Sequence, residues 1–239
     1  MKHALVTGGS GGIGAAVCRR LAADGYHVFI HANRNPDIAQ TLADEIAANG
    51  GSAQVLQFDV TDHQAVVDTL TPLIEQTPIQ ILVNNAGIHD DAVFPGMRMD
   101  QWQRVMDVSV NGFYNVTHTL MMPMIRSRWG RIVNVSSIAA ITGNRGQVNY
   151  AAAKGALNSA TKSLAQEVAS RGITVNAVAP GIIDTAMSEH AFSPDDIARM
   201  VPMKRAGTPD EVADLISFLA SPQAAYITGQ IISINGGMI

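Results

Sequence analysis

The chain has 239 residues, which is long enough to bury the core of one sizeable α/β domain. Hydrophobic residues make up 47% of the sequence and charged residues 15%, a balance that excludes a generally disordered chain. The net charge of −4 and the absence of a basic run argue against a nucleic-acid-binding surface.

Cysteine content and hydropathy bear on the compartment. The single cysteine, Cys18, has no partner for an internal disulfide, which is typical of a reducing environment. We expect no signal peptide before the first strand, and no apolar run reaches the roughly 20 residues that a membrane-spanning helix needs. These features predict a cytoplasmic protein without a membrane partner.

Short runs rich in β-branched residues alternate with longer amphipathic stretches along the chain. The predicted strands are 4–7, 27–31, 54–58, 80–83, 131–135, 174–178 and 231–234. The predicted helices are 12–24, 38–48, 63–76, 99–127, 148–170 and 209–220. Alternating strands and helices favour right-handed crossovers and a mostly parallel sheet covered on both faces. The sequence therefore predicts one doubly wound α/β domain over residues 1–239.

The segment 181–202 is less regular than its neighbours. Pro194, followed by Asp195 and Asp196, indicates the start of a helix. The segment follows a predicted strand end, on the side where ligands bind in such sheets. We expect it to form a lid over the binding site; an ordinary surface loop and helix is the alternative.

Five glycines lie within eight residues between the first predicted strand and the first predicted helix. Glycines at such a junction let backbone N–H groups approach a pyrophosphate at the positive end of the helix. Two spacings fit this purpose, either Gly9, Gly11 and Gly14 or Gly8, Gly12 and Gly14. The flanking strand and helix favour a dinucleotide site over a purely structural turn.

The end of the second predicted strand bears on the choice of cofactor. An acidic residue about 20 residues after the glycines selects NAD by binding the ribose 2′-hydroxyl. Here Asn33 and Arg34 follow the strand, and the first carboxylate is that of Asp37. Arg34 could pair with the 2′-phosphate of NADP, which favours NADPH (NADP+). The alternative is a solvated loop arginine.

Tyr150 and Lys154 lie at positions i and i+4 of a predicted helix, so their side chains share one face. A phenol with its ordinary pKa of about 10 is a sluggish acid–base group at neutral pH. A nearby ammonium group favours the phenolate and lowers that pKa. Taken alone, this spacing is common and fits a structural or surface pair as well as a catalytic one.

A set of short motifs extends through essentially the whole chain. They are Thr7-Gly8-x-x-x-Gly12-x-Gly14, Asp59-Val60, Asn84-Asn85-Ala86-Gly87, Asn111, Ser136-Ser137, Tyr150-x-x-x-Lys154 and Pro180-Gly181. Together, and in this order, they resemble the short-chain dehydrogenase/reductase family. The resemblance implies a Rossmann-like doubly wound fold with a seven-stranded parallel sheet and helices on both faces, which matches the number of predicted strands.

The resemblance implies a catalytic set of Asn111, Ser137, Tyr150 and Lys154. Tyr150 would donate a proton to the substrate oxygen during reduction, and Ser137 would hydrogen-bond the carbonyl group. Lys154 would lower the pKa of Tyr150 and hold the nicotinamide ribose, while Asn111 would help hold a water that relays protons to Lys154. Hydride would pass from nicotinamide C4 to the carbonyl carbon. The neighbouring Ser136 is expected to be structural.

The resemblance also implies a set of cofactor-binding residues that extends from the glycine turn to the segment after the sixth strand. They are Gly8, Ser10, Gly12, Ile13, Gly14, Asn33, Arg34, Asp59, Val60, Asn85, Ala86, Gly87, Tyr150, Lys154, Pro180, Gly181, Ile183 and Thr185. Among them, Asp59 and Val60 would contact the adenine, and Thr185 the carboxamide. Asp59 could instead cap the following turn, and Asn84 is expected to be mainly structural.

Within the family, the stretches 149–155, 169–176 and 229–237 are similar to the bacterial 3-oxoacyl-[acyl-carrier-protein] reductases. That group reduces a 3-oxoacyl thioester on acyl carrier protein with NADPH and generally forms tetramers. The resemblance therefore implies this reaction, in fatty-acid or polyketide- or polyene-type synthesis, and a homotetramer.

Two arginines match the positions where this group docks the acidic carrier protein. They are Arg128 and Arg171, and a basic pair on an acidic protein suits a negatively charged partner. The alternative is that both are ordinary helix-end arginines that complement the helix dipole. Gly11 stands where the group commonly carries an arginine on the 2′-phosphate, so more of the NADP preference falls on Arg34.

Two other functions remain open. The first is a reductase or dehydrogenase of a free small alcohol, ketone or sugar. The second is a cofactor-binding regulatory protein without catalysis, which the complete catalytic set disfavours. The seven histidines form no metal-binding pattern, so no catalytic metal is expected.

Overall fold

A computed structural model describes residues 1–185 and 192–239 of the chain. Within them, seven parallel strands form one sheet in the order β3-β2-β1-β4-β5-β6-β7. The strands are β1 (His3–Val6), β2 (His27–Ala32), β3 (Ser52–Gln57), β4 (Ile79–Asn84), β5 (Gly130–Val135), β6 (Ile173–Pro180) and β7 (Ile231–Ile234). The predicted Rossmann-like, doubly wound sheet with seven strands is confirmed.

Helices connect the strands and cover both faces of the sheet. They are α1 (Gly12–Ala23), α2 (Pro36–Ala48), α3 (His63–Gln76), α4 (Met99–Met106), α5 (Gly112–Ser127), α6 (Ala139–Thr142), α7 (Val148–Val168), α8 (Pro194–Met200) and α9 (Pro209–Ala220). Side chains of α1, α2 and α9 form the core on one face. Those of α3, α5 and α7 form the core on the other. None of the helices that the structure describes is long and apolar enough to cross a membrane.

The central strands are apolar on both sides because each face of the sheet carries its own core. In β1, Ala4 and Val6 belong to one core, and Leu5 between them belongs to the other. This alternation follows from the two-residue period of a strand. Strands β5 and β6 are buried along their whole length, as strands of a parallel sheet covered on both faces should be.

The predicted continuous helix 99–127 is interrupted in the structure. A π-helical turn over Asp107–Asn111 separates α4 from α5. A π turn accommodates one extra residue, and such turns occur frequently at functional sites. The apolar pattern of the sequence runs through this turn without a break, so periodicity alone did not indicate it.

The order of the strands determines where a ligand can bind. The chain first builds β2 and β3 on one side of β1 and then crosses over to build β4 on the other side. At this switch point, the loops that leave the carboxyl ends of β1 and β4 diverge and leave a crevice. The candidate site lies there.

Candidate active site and cofactor cleft

A cleft of about 750 Å³ opens at the carboxyl ends of β1, β4, β5 and β6. Its size and position suit a small-molecule site of a doubly wound sheet. Most of the predicted site residues line it, namely Gly8, Gly12, Ile13, Gly14, Asn85, Ala86, Gly87, Ser137, Tyr150, Lys154, Pro180, Gly181, Ile183 and Thr185. The fold therefore brings four distant regions of the sequence together in one cleft.

The glycine turn follows the second of the two spacings. Gly8 has φ +62°, a backbone conformation that favours glycine, and its carbonyl group packs directly against Gly14. A Cβ added at Gly12 would lie 2.8 Å from the Thr185 side chain, so a residue larger than glycine would occupy the space between the turn and Thr185. A Cβ at Gly11 would have no neighbour closer than 3.8 Å. The turn therefore requires Gly8, Gly12 and Gly14, and also Gly9, where a Cβ would lie 3.0 Å from the Cys18 and Ile30 side chains.

This turn is attached to the loop after β4 by four hydrogen bonds. The Thr7 hydroxyl oxygen accepts the backbone N–H groups of Asn85 and Ala86, each at 3.0 Å. The Asn85 side-chain amide donates to the carbonyl oxygens of Thr7 and Gly8, each at 3.0 Å. Since α1 begins directly after the turn, its free N–H groups and positive end face the cleft in a fixed position. These residues fit the pyrophosphate of a dinucleotide.

The neighbouring Asn84 has a different role. Its side-chain amide donates to the Thr117 hydroxyl at 3.0 Å and to the Asn134 side-chain oxygen at 2.9 Å, inside the core. Asn84 does not line the cleft. These contacts join β4, α5 and β5, in agreement with its expected structural role.

Tyr150 and Lys154 project from one face of α7 into the cleft. The Lys154 Nζ lies 5.7 Å from the centre of the Tyr150 ring. This ammonium group is buried and donates to the Val135 carbonyl oxygen at 2.8 Å. The Tyr150 hydroxyl forms a hydrogen bond with the Ser137 side chain. Three of the four predicted catalytic side chains are therefore adjacent.

Burial is the largest cause of the pKa shifts of both Tyr150 and Lys154. Burial raises the pKa of the Tyr150 phenol above its usual value, although the hydrogen bond with Ser137 opposes this shift. Burial also lowers the pKa of Lys154 to about 8. The charge of Asp91 acts in the same direction as burial on the Tyr150 pKa in this state, and a lowering of this pKa by Lys154 stays a prediction. A phenol that stays protonated at neutral pH can act as a proton donor.

The two serines after β5 have separate environments. The Ser137 hydroxyl oxygen accepts the backbone N–H of Ala139 at 3.1 Å and faces the cleft. The Ser136 hydroxyl is buried and donates to the backbone carbonyl oxygen of Lys154 at 3.3 Å. Ser136 therefore fixes α7 against β5, as its expected structural role requires.

Asn111 is placed differently from the other predicted catalytic residues. It ends the π turn, is exposed, and donates from its side-chain amide to the Asp107 carboxylate at 2.7 Å. It is absent from the lining of the cleft. In this arrangement its amide is engaged by Asp107, while the Lys154 ammonium is held by Val135.

The remaining predicted cofactor-binding residues, which include the two expected to contact the adenine, lie beyond the lining of the cleft. They are Ser10, Asn33, Arg34, Asp59 and Val60. Burial opposes ionisation of Asp59, but hydrogen bonds from Thr61 and Asn33 outweigh it and lower the pKa of this carboxyl. Asp59 does cap the next turn, since it accepts both the Thr61 N–H and hydroxyl, at 2.9 Å and 2.8 Å.

Arg34 is the basic group at this end. Its side chain is exposed, and across residues 1–185 and 192–239 no carboxylate forms an ion pair with it. The guanidinium is therefore available to an anion. It can form two parallel hydrogen bonds with a phosphate.

The opposite end of the cleft contains a polar cluster, and the part that Gln147 takes in it was not predicted from the sequence. Gln147 donates to the Asp91 carboxylate at 2.8 Å, and His89 contacts the same carboxylate at 3.2 Å. Phe192 and Met200 add apolar surface here, from the lid segment predicted at 181–202. Residues 186–191 of that segment lie outside the described part of the chain.

Asn149, next to Tyr150, is a second residue that the prediction did not single out for a role. It is fully buried, and its amide donates to the backbone carbonyl oxygens of Asp90 at 2.9 Å and Gln101 at 3.2 Å. Its side-chain oxygen accepts the Tyr150 N–H at 2.8 Å. Asn149 therefore fixes the first turn of α7, which carries Tyr150, against α4 and the loop after β4.

Arg128 and Arg171 lie together at the other edge of the sheet. Arg128 precedes β5, Arg171 precedes β6, and the Arg128 guanidinium donates to the Ser170 carbonyl oxygen at 3.2 Å. Strand β5 has six residues, and at 3.3 Å per residue it spans about 20 Å. The two arginines are thus separated from the cleft of their own protomer by at least the length of the strand.

The fold and the cleft define a nicotinamide-dependent oxidoreductase. The sequence model of the short chain dehydrogenase family matches residues 2–196, and the chain belongs to this family. It is 44% identical over 236 residues to the 3-oxoacyl-[acyl-carrier-protein] reductase FabG of Aggregatibacter actinomycetemcomitans, with 98% of each chain covered.

Other relatives match with similar identity over nearly their full length. The chain is 43% identical to the 3-oxoacyl-[acyl-carrier-protein] reductase of Synechocystis, with 99% of this chain and 96% of the relative covered. It is 45% identical to the acetoacetyl-CoA reductase of Rhizobium meliloti, with 98% of this chain and 97% of the relative covered. Both names describe enzymes that reduce a 3-oxoacyl thioester.

Proposed function

We propose that this protein reduces a 3-oxoacyl thioester to the 3-hydroxyacyl thioester with NADPH. The observation that carries the proposal is the cleft, in which the Tyr150, Lys154 and Ser137 side chains lie beside the glycine turn. The relatives that match over the full chain are reductases of this substrate class.

The residues of the cleft have separable tasks. When bound, the cofactor supplies a hydride to the carbonyl carbon of the substrate. The Ser137 and Tyr150 hydroxyls donate hydrogen bonds to the carbonyl oxygen and stabilise the negative charge that develops there. Tyr150 then transfers its proton to this oxygen, which completes the alcohol. The Lys154 ammonium favours the resulting phenolate and holds the ribose hydroxyls.

Residues around the turn hold the cofactor. The backbone N–H groups of Gly12, Ile13 and Gly14 bind the pyrophosphate at the start of α1. Arg34 binds the 2′-phosphate, which favours NADPH over NADH because the guanidinium is exposed and unpaired with any carboxylate of the described chain. Asn111, through a water, completes the proton path to Lys154 once the amide leaves Asp107.

Acyl carrier protein is the proposed carrier, and coenzyme A is the second candidate. Relatives at similar identity act on each kind of thioester, which favours both candidates over a free ketone. Arg128 and Arg171 form the docking surface for an acidic carrier. Because β5 separates them from their own cleft by about 20 Å, we place this surface beside the cleft of another subunit in a homotetramer.

The whole chain, 1–239, forms one domain in this proposal, with 181–202 as a lid. Phe192 and Met200 already line the cleft from that segment. The protein is expected to act in the cytoplasm, where its buried Cys18 thiol stays reduced.

The test compares three substrates in an assay of NADPH and NADH oxidation. They are a 3-oxoacyl group on acyl carrier protein, acetoacetyl-CoA, and a free 3-oxo ester of matched length. The proposal predicts NADPH-dependent turnover of the thioesters, with the carrier-protein substrate preferred. Turnover of the free ester alone would contradict it and favour a small-molecule reductase. Cofactor binding without turnover of any of the three would favour a regulatory protein.

A further inference from the structure

His31 connects the glycine turn to the end of β3. Its imidazole Nδ1 accepts the backbone N–H of Gly8 at 3.0 Å, and its Nε2 contacts the Phe58 carbonyl oxygen at 2.9 Å. Its own carbonyl oxygen accepts the Gly9 N–H at 2.9 Å. The ring packs on Phe58 with 4.1 Å between centres, and the residue is only 2% exposed.

These contacts determine the tautomer of the ring. An imidazole nitrogen that accepts an N–H must carry a lone pair, so Nδ1 is unprotonated. A carbonyl oxygen accepts only from a protonated nitrogen, so Nε2 carries the hydrogen. His31 is therefore neutral in this arrangement. An imidazolium would direct a second N–H at the Gly8 N–H, and the hydrogen bond would be replaced by a repulsive contact between two donors.

The Gly8 peptide groups are held from two sides. His31 fixes the N–H of Gly8, and the Asn85 amide fixes its carbonyl oxygen at 3.0 Å. Gly8 packs against Gly14 at the start of α1. A shift of Gly8 therefore moves the first turn of the helix whose N–H groups face the cofactor.

We propose that His31 is a positioning residue that holds the glycine turn in its cofactor-binding conformation, and that protonation of its ring releases Gly8 and weakens cofactor binding. The inference rests on the proposed dinucleotide site. It adds an acid-sensitive element to that site. His31 supplies this element from behind the turn and does not itself line the cleft.

The charged and titratable groups around His31 are few in the described chain. Asp59, after β3, acts on the ring and favours its protonation, but burial outweighs this effect and keeps the pKa of His31 below its usual value. Cys18 of α1 lies against Gly9, and burial raises the pKa of its thiol, so it stays neutral. His27 on β2 and His3 on β1 lie at the opposite end of their strands.

The sign of the pH effect follows from linkage. If the bound state requires neutral His31, cofactor binding excludes a proton, and affinity falls as the pH falls below the pKa of His31 in the free protein. One excluded proton lowers affinity by at most about tenfold per pH unit. A direct attraction between protonated His31 and the cofactor phosphates would produce the opposite sign, with tighter binding in acid.

Two substitutions each preserve one of the two contacts that the His31 ring makes, and neither introduces a side chain that titrates. In His31→Asn, the side-chain oxygen lies close to the former Nδ1 position and can still accept the Gly8 N–H. In His31→Gln, the side-chain amide reaches the former Nε2 position and can still donate to Phe58, but Gly8 loses its acceptor. Calorimetry of NADP+ binding from about pH 5.5 to about pH 8 compares both with the wild type.

The proposal predicts three results. The wild type loses affinity in acid, His31→Asn matches the wild type near pH 8 and loses less affinity than the wild type in acid, and His31→Gln is weaker than both near pH 8. The 2′-phosphate itself titrates at about pH 6, and this contribution cancels when the wild type is compared with the Asn variant. NAD+, which lacks that phosphate, provides an independent control.

A direct titration of the His31 ring by nuclear magnetic resonance completes the test and does not depend on any variant folding. The proposal predicts an Nε2–H tautomer in the free protein and a lower His31 pKa in the NADP+ complex. An unchanged or higher pKa in the complex, or a loss of affinity in acid that is as steep in His31→Asn as in the wild type, would overturn the inference alone. Failure to bind either dinucleotide at any pH would overturn the proposed function together with it.

Discussion

The Lys154 ammonium and the Val135 carbonyl oxygen are joined by a 2.8 Å hydrogen bond at the floor of the cleft. This bond holds a cation inside the protein, 5.7 Å from the centre of the Tyr150 ring. Burial without a carboxylate partner is costly for an ammonium group, and this cost lowers the pKa of Lys154 to about 8. The Lys154 ammonium is therefore a destabilised buried charge close to Tyr150, the proposed proton donor.

Lys154→Met should abolish turnover but stabilise the protein without cofactor at neutral pH. The methionine fills a similar volume without a buried charge, so we expect the free energy of unfolding to rise by about 1 kcal/mol or more. Denaturant unfolding measures it. The direction of the Lys154 pKa shift also predicts how the free energy of unfolding depends on pH. Between a pKa of about 8 in the folded state and the higher pKa of the unfolded state, the unfolded chain binds more protons.

Wild-type stability should therefore gain a contribution from Lys154 as the pH rises above about 8, and the Met variant should lack that gain. The control is Lys162→Met, an exposed position on the same helix. Equal pH profiles for the wild type and Lys154→Met would contradict the assignment of this buried cation.

Tyr150→Phe removes the proposed proton donor and leaves the ring in place. We expect kcat to fall by about 10²- to 10⁴-fold, the typical contribution of general acid catalysis, while the Kd of NADPH changes little. The matched control is Tyr226→Phe, which removes a hydroxyl from a fully exposed tyrosine. A Tyr150→Phe enzyme with wild-type kcat would show that another group protonates the product.

Arg34→Gln tests the cofactor preference. Loss of a charge-assisted contact with the 2′-phosphate should weaken NADPH binding by about 10- to 100-fold and leave NADH binding nearly unchanged. Fluorescence titration with each cofactor measures both constants. Arg126→Gln, on the exposed surface of α5, is the control. Equal weakening of NADPH and NADH binding would mean that Arg34 stabilises the loop and does not contact the 2′-phosphate.

Asn149→Leu should reduce both stability and kcat. The substitution leaves the Asp90 and Gln101 carbonyl oxygens without their buried donor, which costs about 1–3 kcal/mol of unfolding free energy. It also frees the turn that carries Tyr150, so kcat should fall more than the KM for the thioester rises. Asn158→Leu, on the same helix but outside this contact, provides the comparison. A kcat equal to that of the wild type would restrict Asn149 to a stabilising role.

Arg128→Glu and Arg171→Glu test the docking surface. Both should raise the KM for a 3-oxoacyl group on acyl carrier protein several-fold, because like charges now oppose each other, and the effect should weaken in high salt. Turnover of acetoacetyl-CoA should change little, since coenzyme A does not require that surface. Arg126→Glu is the nearby control. An equal loss of activity with both substrates would indicate that these arginines stabilise this edge of the sheet.

The sheet and most helices were predictable from the sequence because their signals are local. The alternation of Ala4, Leu5 and Val6 between two cores follows from the two-residue period of a strand, and α8 begins at Pro194 as predicted. The π turn was missed because an extra residue inside a helix does not break the apolar pattern.

Local sequence patterns also could not predict contacts between residues that are far apart in the chain. Asn149 contacts Gln101, 48 residues away, and His31 contacts Gly8, 23 residues away. No periodicity links such pairs. The cleft residues themselves were identified through the resemblance to the short-chain dehydrogenase/reductase family, and several of them follow strand ends, since the carboxyl ends of parallel strands meet at one edge of the sheet. Arg128 precedes its strand, so the same rule places it at the opposite edge.

The most direct test of the account follows the hydride. NADPH deuterated at the transferable position of nicotinamide C4 is incubated with the protein and a 3-oxoacyl thioester of acyl carrier protein, and the product is analysed by mass spectrometry. We expect a 3-hydroxyacyl thioester with one deuterium at C3, and no such product with Tyr150→Phe on the same timescale. A product without deuterium, or none despite bound NADPH, would contradict it.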